Sequence, residues 1–435
     1  MGISNEIMGD ELVGWVRDAA GGLTGLVADL TDEQLIGPQL AIINPLLWEI
    51  GHVTWFQESF VLRRELAEPP LIEHADAIWD SAAIPHDTRW WLRLPSREET
   101  LRYIAEVTDR VTARLHRPEA TAQLRYITRY AVHHHDMHTE ALTYTRQTLG
   151  YPPPALAGVQ VDPAEAGPLP GDAEVPGGTF LLGADRDEGF VYDNEKWAHP
   201  VQLAPFAIAR VPVTQVEYTR FVDDGGYARR ELWSEAGWAW RTGAAAHAPG
   251  YWRRGPEGWQ RRDFDRWVGL EPHHPVSHVC WYEADAYCRW AGRRLPSEAE
   301  WEAAAIGEPD GAGGLRPTRR RFPWGSEPIA SRHANLDWRF LGTVDVAAYP
   351  AGESAFGCRQ LIGNLWEWTA STFLPYPNFE QDAYRENSWP WFGTRKVLRG
   401  GAWATRSRLL RATLRNYFTP DRRDVLAGFR TAALR

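Results

Sequence analysis

The sequence predicts an α+β chain in two unlike parts: a helical bundle first, then a loop-rich domain of short strands. Three observations carry this. The chain has 435 residues, more than one ordinary core accommodates. Apolar residues recur at helical spacing through the first third and lose that period afterwards. A stretch rich in Pro, Gly and Ala, from Tyr151 to Gly178, separates the two regimes. We place the bundle at 1–155, a linker at 156–172 and the second domain at 173–435.

Four amphipathic helices make up the bundle. The first runs from about Glu11 to Leu30, with Leu12, Val16, Leu23, Leu26 and Leu30 on one face. The second begins at Asn44-Pro45, where Asn44 is a suitable cap and Pro45 suits the first helical position. It continues through LLWEIGHVTWFQESFVLRRE. The third covers about Arg97 to Leu115, after Pro95-Ser96. The fourth covers about Thr121 to Leu149 and stops at Gly150. These four amphipathic helices, one with a long connection before it, suggest an antiparallel four-helix bundle.

Beyond the linker, strand-like runs at Phe180 to Leu182 and Val201 to Ile208 alternate with loops rich in Gly, Pro and Trp. Two helices are expected there, Trp281 to Ala291 and Ser297 to Ala305. No internal repeat is visible. The 23 tryptophans suit a rigid domain without long regular elements, and can also face a cationic ligand.

Composition excludes several classes. The net charge is −10 without any Lys/Arg run, so nucleic acid is not an expected partner. No window approaches the ~18 apolar residues of a membrane span. The N-terminus MGISNEIMGDELVGW has neither the basic nor the apolar region of a signal peptide. Three cysteines, Cys280, Cys288 and Cys358, do not make a disulfide framework. The expected compartment is the cytoplasm.

The chemistry gathers at histidines. His134 and His138 are four apart in the run His133-His134-His135-Asp136-Met137-His138-Thr139-Glu140, so they share one helical face. His52 lies in an apolar, aromatic part of the second helix, among Leu47, Trp48, Val53, Trp55 and Phe56. It is either a core histidine held by one hydrogen bond or a third ligand. Imidazoles without thiolates suit Fe, Zn, Cu or Ni, and three of them leave positions open for substrate and O₂. Spacing does not choose iron over zinc.

The run Asn44-Pro45-Leu46-Leu47-Trp48-Glu49-Ile50-Gly51-His52, followed by His134-x3-His138-x-Glu140, resembles the DinB-like bundle of the ergothioneine-forming sulfoxide synthases. The second half resembles the formylglycine-generating-enzyme (sulfatase-modifying-factor) fold, which is C-type-lectin-like. The matching runs are Val175-Pro176-Gly177-Gly178-Thr179-Phe180, Val211-Pro212-Val213-Thr214, Trp290 to Glu302, Gly363-Asn364-Leu365-Trp366-Glu367-Trp368-Thr369 and Leu398-Arg399-Gly400-Gly401-Ala402-Trp403. Trp366, Trp368 and Trp403 read as core pieces. The resemblance covers nearly the whole chain. Formylglycine-generating activity itself is excluded, because the stretch after Arg399-Gly400-Gly401 holds no cysteine.

The resemblance implies that His52, His134 and His138 bind Fe(II) and that O₂ is a co-substrate. It implies a catalytic tyrosine at Tyr384, able to supply a proton to reduced oxygen. Asn416 matches an asparagine that holds the carboxylate of the amino-acid substrate, hercynine. Tyr417 and Phe418 could pack against its trimethylammonium group. Departures from the pattern concern the second substrate. Phe418 stands where enzymes using γ-glutamylcysteine have an acid. His86 replaces one of two paired arginines, leaving Arg89, next to Trp90 and Trp91. Met137 replaces a glutamine. Aromatic groups thus replace charged ones, which fits the family's selenoneine synthase branch and its selenosugar donor. The expected reaction is formation of a carbon–selenium bond to hercynine. Three alternatives stay open: the same chemistry with a thiol donor, a DinB-like zinc thiol transferase, and a non-catalytic metal-binding module, against which the three histidines with Tyr384 and Asn416 argue.

Overall fold

A computed structural model describes residues 9–160 and 165–434. The signal-peptide reading of the first eight residues, and the part of the linker at 161–164, lie outside them. The chain divides into two compact units, Met1–Ala157 and Gly158–Arg435.

The first unit is helical. Its long helices are α1 (Gly9–Gly25), α3 (Leu46–Gln57), α5 (Arg97–Leu115) and α6 (Ala122–Leu149), with short helices α2 (Asp32–Ile36) and α4 (Asp76–Trp79) between them. Helices α1 and α3 each pack against both α5 and α6. Capping fixes the ends: Ser96 and Glu99 form a reciprocal capping box at α5, and Thr121 caps α6 through the Leu124 amide. Gly150 closes α6 in the left-handed region, with φ 67°.

Two expectations for the second helix need correction. It is α-helical only to Gln57; from Glu58 to Glu65 the backbone widens into a π-helix. There the buried Glu58 accepts from the Leu71 amide at 2.6 Å and from the Tyr103 hydroxyl. Asn44 is not the cap either. Pro45 precedes the first turn without a side-chain cap, and the Asn44 side chain is used elsewhere, as described below. The first helix also ends earlier than expected, at Gly25.

Among the described residues, the second unit holds short strands in four sheets. One sheet runs Asp172–Val175, Phe206–Ala209, Ala432–Ala433, Arg293–Arg294; another runs Asn416–Phe418, Lys396–Arg399, Trp366–Thr372, Ala427–Gly428. A hairpin of Gly178–Leu182 with His199–Leu203, and a three-stranded sheet over Trp252–Gly269, complete them. The expected strand over Val201 to Ile208 is in fact two strands, broken at Ala204-Pro205, where proline cannot donate to a ladder. Helices α9 (Trp281–Trp290) and α10 (Glu298–Ile306) stand where expected. Two others, α7 (Gln215–Asp223) and α8 (Glu235–Gly243), were not expected. The core collects Phe180, Phe206 and Trp301 from these elements, with Leu361 and Tyr376 from the loops between them. Trp366, Trp368 and Trp403 are buried. No helix of the described residues is long and apolar enough to cross a membrane.

Candidate metal centre

Every residue of α3 is buried, including Glu49, His52, Thr54 and Gln57. A buried acid and a buried imidazole cost free energy unless they find partners. Both find them. His52 shares a hydrogen bond of 2.8 Å between its Nδ1 and the Trp79 carbonyl. Trp79 approaches this closely because residue 51 is glycine: a Cβ there would overlap its indole. Glu49 meets Nδ1 of His138 on α6 through one carboxylate oxygen and accepts from the Asn44 amide at 2.6 Å through the other.

His134 and His138 lie one turn apart, and their Nε2 atoms approach to 3.2 Å. The His52 ring lies 5.4 Å from that of His134 and 5.1 Å from that of His138. One ligand-capable atom from each ring falls within 4.8 Å of the others. Because Nδ1 of His52 and of His138 is already engaged, Nε2 of each is left for a ligand. His133 and His135 turn away. His133 faces Asp136 at 3.5 Å, and Nδ1 of His135 bonds the Ala131 carbonyl at 3.0 Å.

Burial disfavours the charged form of two of the three rings. Burial pushes His52 down to about 3, with His138 acting in the same sense. Burial likewise holds His134 well below its ordinary value. Burial opposes ionisation of Glu49, yet its contacts with His138 and Asn44 prevail and hold its carboxyl at about 2. Two imidazole lone pairs facing each other at 3.2 Å repel unless a proton or cation lies between them. The donor set therefore suits a divalent metal with three nitrogen ligands and open positions.

Around this cluster, Arg89 sits in a 3₁₀ turn, His86–Trp91, and is 8% exposed. It donates to Asn44 Oδ1 at 2.7 Å and to the Ser81 and Ile84 carbonyls at 3.3 Å each. Its guanidinium lies 4.1 Å over the Trp48 ring. His86 bonds the Ile43 carbonyl at 2.5 Å and packs edge-on against Trp90. Trp91 is 78% exposed. Met137 is half-buried beside His138, and Glu140 is buried one turn further along α6.

The remaining expected residues gather in the second unit. Asn416, Tyr417 and Phe418 form an edge strand paired with Leu398, Val397 and Lys396. The Asn416 side-chain oxygen accepts from the Tyr417 amide at 2.8 Å. Tyr417 stacks on Phe373 at 3.9 Å. Burial, with Asp193 and Tyr384 nearby, pushes its phenol up. Tyr384 is half-buried at the start of a 3₁₀ turn, Arg385–Asn387. The Arg422 guanidinium lies 5.1 Å from the Phe418 ring.

Sequence reasoning missed Asn44, Glu49 and Trp79 as parts of the metal centre. One signal was available. An acid three residues before His52, inside an apolar helix, requires a partner.

Residues 159–434 match the sulfatase-modifying factor enzyme 1-like domain, and residues 17–144 match the DinB superfamily. The chain is 38% identical to a hercynine oxygenase of Mycolicibacterium thermoresistibile, over 93% of this chain and 91% of that one. It is 35% identical to a hercynine oxygenase of Mycolicibacterium smegmatis, over 99% of each. A formylglycine-generating enzyme of Streptomyces coelicolor is 35% identical, over 65% of this chain and 95% of its own length. The three cysteines here are buried and free. Burial pushes the Cys358 thiol up to about 11, which makes it a poor nucleophile.

Proposed function

We propose, for a chain that belongs to the hercynine oxygenase family, an iron(II)- and O₂-dependent oxidoreductase that joins the selenium of a selenosugar to the imidazole of hercynine. The observation that carries the metal is the convergence of His52, His134 and His138 on one point. Bound there, iron would supply a redox-active Lewis acid with open positions for O₂ and donor. Overall, an imidazole carbon–hydrogen bond and the donor's selenium–hydrogen bond give way to a carbon–selenium bond. One O₂ takes four electrons, leaving one oxygen atom on selenium and the other in water.

The roles of individual residues follow from their chemistry. Asn416 offers an amide to the hercynine carboxylate. Tyr417 and Phe418 present aromatic faces to the trimethylammonium group. Tyr384 supplies a proton as oxygen is reduced, a contribution typically worth roughly 10²–10⁴-fold in rate.

Selenium is the finer part of the reading, and charge supports it. γ-Glutamylcysteine carries two carboxylates and an ammonium, whose burial needs charged partners. Phe418 supplies none, and the Nε2 of His86 is engaged by the Ile43 carbonyl. Arg89, the arginine left in that loop, is already bonded to Asn44, Ser81 and Ile84. Trp91 offers the flat apolar face that a sugar ring can use.

A competition assay tests this. Protein is loaded with iron and hercynine without air, then given a 1-seleno-sugar, the matching 1-thio-sugar, γ-glutamylcysteine and cysteine at equal concentrations before O₂ is admitted. Preferential turnover of the seleno-sugar is expected. Preference for γ-glutamylcysteine or cysteine would leave the carbon–sulfur reaction in its place. Turnover that needs zinc and no O₂ would favour a thiol transferase.

A further inference from the structure

Arg89 stands in the sequence as a candidate for contacting the second substrate, but its surroundings point inward. Its guanidinium is sandwiched into the bundle, with one face over the Trp48 ring at 4.1 Å. The same Trp48 stacks on the ring of His52, with centroids 4.8 Å apart and planes within 6°. Its Nη1 donates to Asn44, whose amide nitrogen donates to Glu49, whose other oxygen meets Nδ1 of His138. Two separate chains of contact therefore leave one guanidinium and end on two different imidazoles of the cluster.

We propose that Arg89 is a positioning residue for the metal centre, acting on His138 through Asn44 and Glu49 and on His52 through Trp48, rather than a contact for the second substrate. This rests on the metal reading of His52, His134 and His138.

Asn44 has one acceptor and one donor group, and this network uses both ends. The Arg89 guanidinium only donates, so it fixes which end of the Asn44 amide is oxygen. That in turn turns the Asn44 nitrogen toward Glu49 and leaves Glu49 Oε1 for His138. The carboxylate then orients the His138 ring with Nε2 facing the other imidazoles. On the other branch, the cation over Trp48 holds the indole flat against His52. Arg89 is buried and anchored to two loop carbonyls, so the loop after α4 becomes part of the support for the metal ligands.

The two roles separate in an experiment without any substrate. Full-length protein, free of metal, is titrated anaerobically with Fe(II), and separately with Co(II), whose visible spectrum reports ligand number and geometry. The set is wild type, Arg89→Gln, Arg89→Lys, Asn44→Ala, Glu49→Gln, the pair Asn44→Asp with Glu49→Gln, and His138→Ala. Circular dichroism establishes that each is folded at the titration temperature.

Outer partners of metal-bound histidines are typically worth about 10–100-fold in affinity. Glu49→Gln is expected to lose roughly 10-fold or more, because two amides then face each other with donors opposed. The paired variant restores every hydrogen bond, with the carboxylate moved to position 44, and is expected to recover to within about 3-fold of wild type. Arg89→Gln and Asn44→Ala are each expected to lose about 3–10-fold with an altered Co(II) spectrum, the lower end of that range because each acts through an intermediate. If Arg89→Gln does not fold, Arg89→Lys, which keeps the cation but not the fork, carries the same expectation.

Wild-type affinity and an unchanged Co(II) spectrum in the Arg89 variants would overturn the proposal, as would a paired variant no tighter than Glu49→Gln alone. Those outcomes leave the metal reading standing, provided that wild type binds and His138→Ala does not. If wild type takes up neither metal, the metal reading itself falls, and this inference with it.

Discussion

Buried polar groups serve different ends in the two units, although the first also holds a closed pair, Arg146 with Asp29. In the second unit, four buried arginines are closed by glutamates. Arg430 makes two hydrogen bonds to Glu367, at 2.6 and 2.7 Å, and Trp301 adds a third to the same carboxylate at 2.8 Å. Arg399 meets Glu302, Arg411 meets Glu195, and Arg415 meets Glu298. These pairs tie together elements too short to be stable alone. In the first unit, α3 and α6 gather three imidazoles whose nitrogens face one another, with a single carboxylate behind them. A pair whose charges cancel is architecture, whereas two imidazole nitrogens facing each other at 3.2 Å favour a proton or a cation between them. The same amount of burial therefore carries different meaning in the two units.

The comparison is tested most strongly by removing one member of each kind. Glu367→Leu leaves the Arg430 guanidinium buried without its anion, which typically costs about 3–5 kcal/mol. His134→Leu in metal-free protein removes a neutral group from a crowded polar cluster, and is expected to cost no more than about 2 kcal/mol. It should abolish Fe(II) binding. Urea unfolding followed by circular dichroism, with the transition of each unit fitted separately, gives both numbers. A His134→Leu loss as large as that of Glu367→Leu would mean that the imidazoles are core, not site.

Gly51→Ala probes the join between packing and site. The added methyl would overlap the Trp79 indole, and overpacking of this kind typically costs about 1–3 kcal/mol. Trp79 also supplies the carbonyl that fixes Nδ1 of His52. We therefore expect weaker Fe(II) binding together with lower stability, read by titration and thermal unfolding of the same sample. Reduced stability with unchanged affinity would separate the Trp79 packing from the ligand.

How much of this was legible in the sequence follows from where the information lies. Helix α5 was placed at both ends, because Ser96 and Glu99 write its start locally and Leu115 closes its apolar stripe. The histidine pair on α6 was legible from a spacing of four. Of the second unit's strands, Phe180 to Leu182 was read, but most were not. Several span only two to five residues, too few for a period of two to stand out even where burial alternates, and their pairing joins segments far apart, such as Ala432 with Arg294. Helix α7 was readable in principle, since Thr214 and Glu217 form a capping box. That Glu49 needs a partner was readable, but which partner, and the roles of Asn44 and Arg89, were out of reach. Glu49 and His138 are 89 positions apart, and no local pattern tells that an arginine one loop away turns back into the bundle.

The smallest expected effect on the fold, and the sharpest on substrate, belongs to Trp91. It shares a 3₁₀ turn with Arg89 and Trp90, yet the three differ. Arg89 is buried and bonded, Trp90 is half-buried against His86, and Trp91 is 78% exposed. A tryptophan this exposed contributes little packing, so Trp91→Ser should change stability by less than about 0.5 kcal/mol. Iron affinity should not change, because among the described residues no hydrogen bond or ring contact joins Trp91 to His52, His138, Glu49, Asn44 or Trp48. If the exposed indole is the platform for a sugar ring, the variant should raise KM for the seleno-sugar by roughly 5–10-fold, the loss of about 1 kcal/mol of stacking. KM for hercynine and the rate at saturating donor should hold. Steady-state kinetics with each substrate varied in turn reads all of these, beside a melting curve and an Fe(II) titration of the same protein. An unchanged KM for the donor would remove Trp91 from the donor site and, with Arg89 turned inward, would leave this turn as support for the bundle alone.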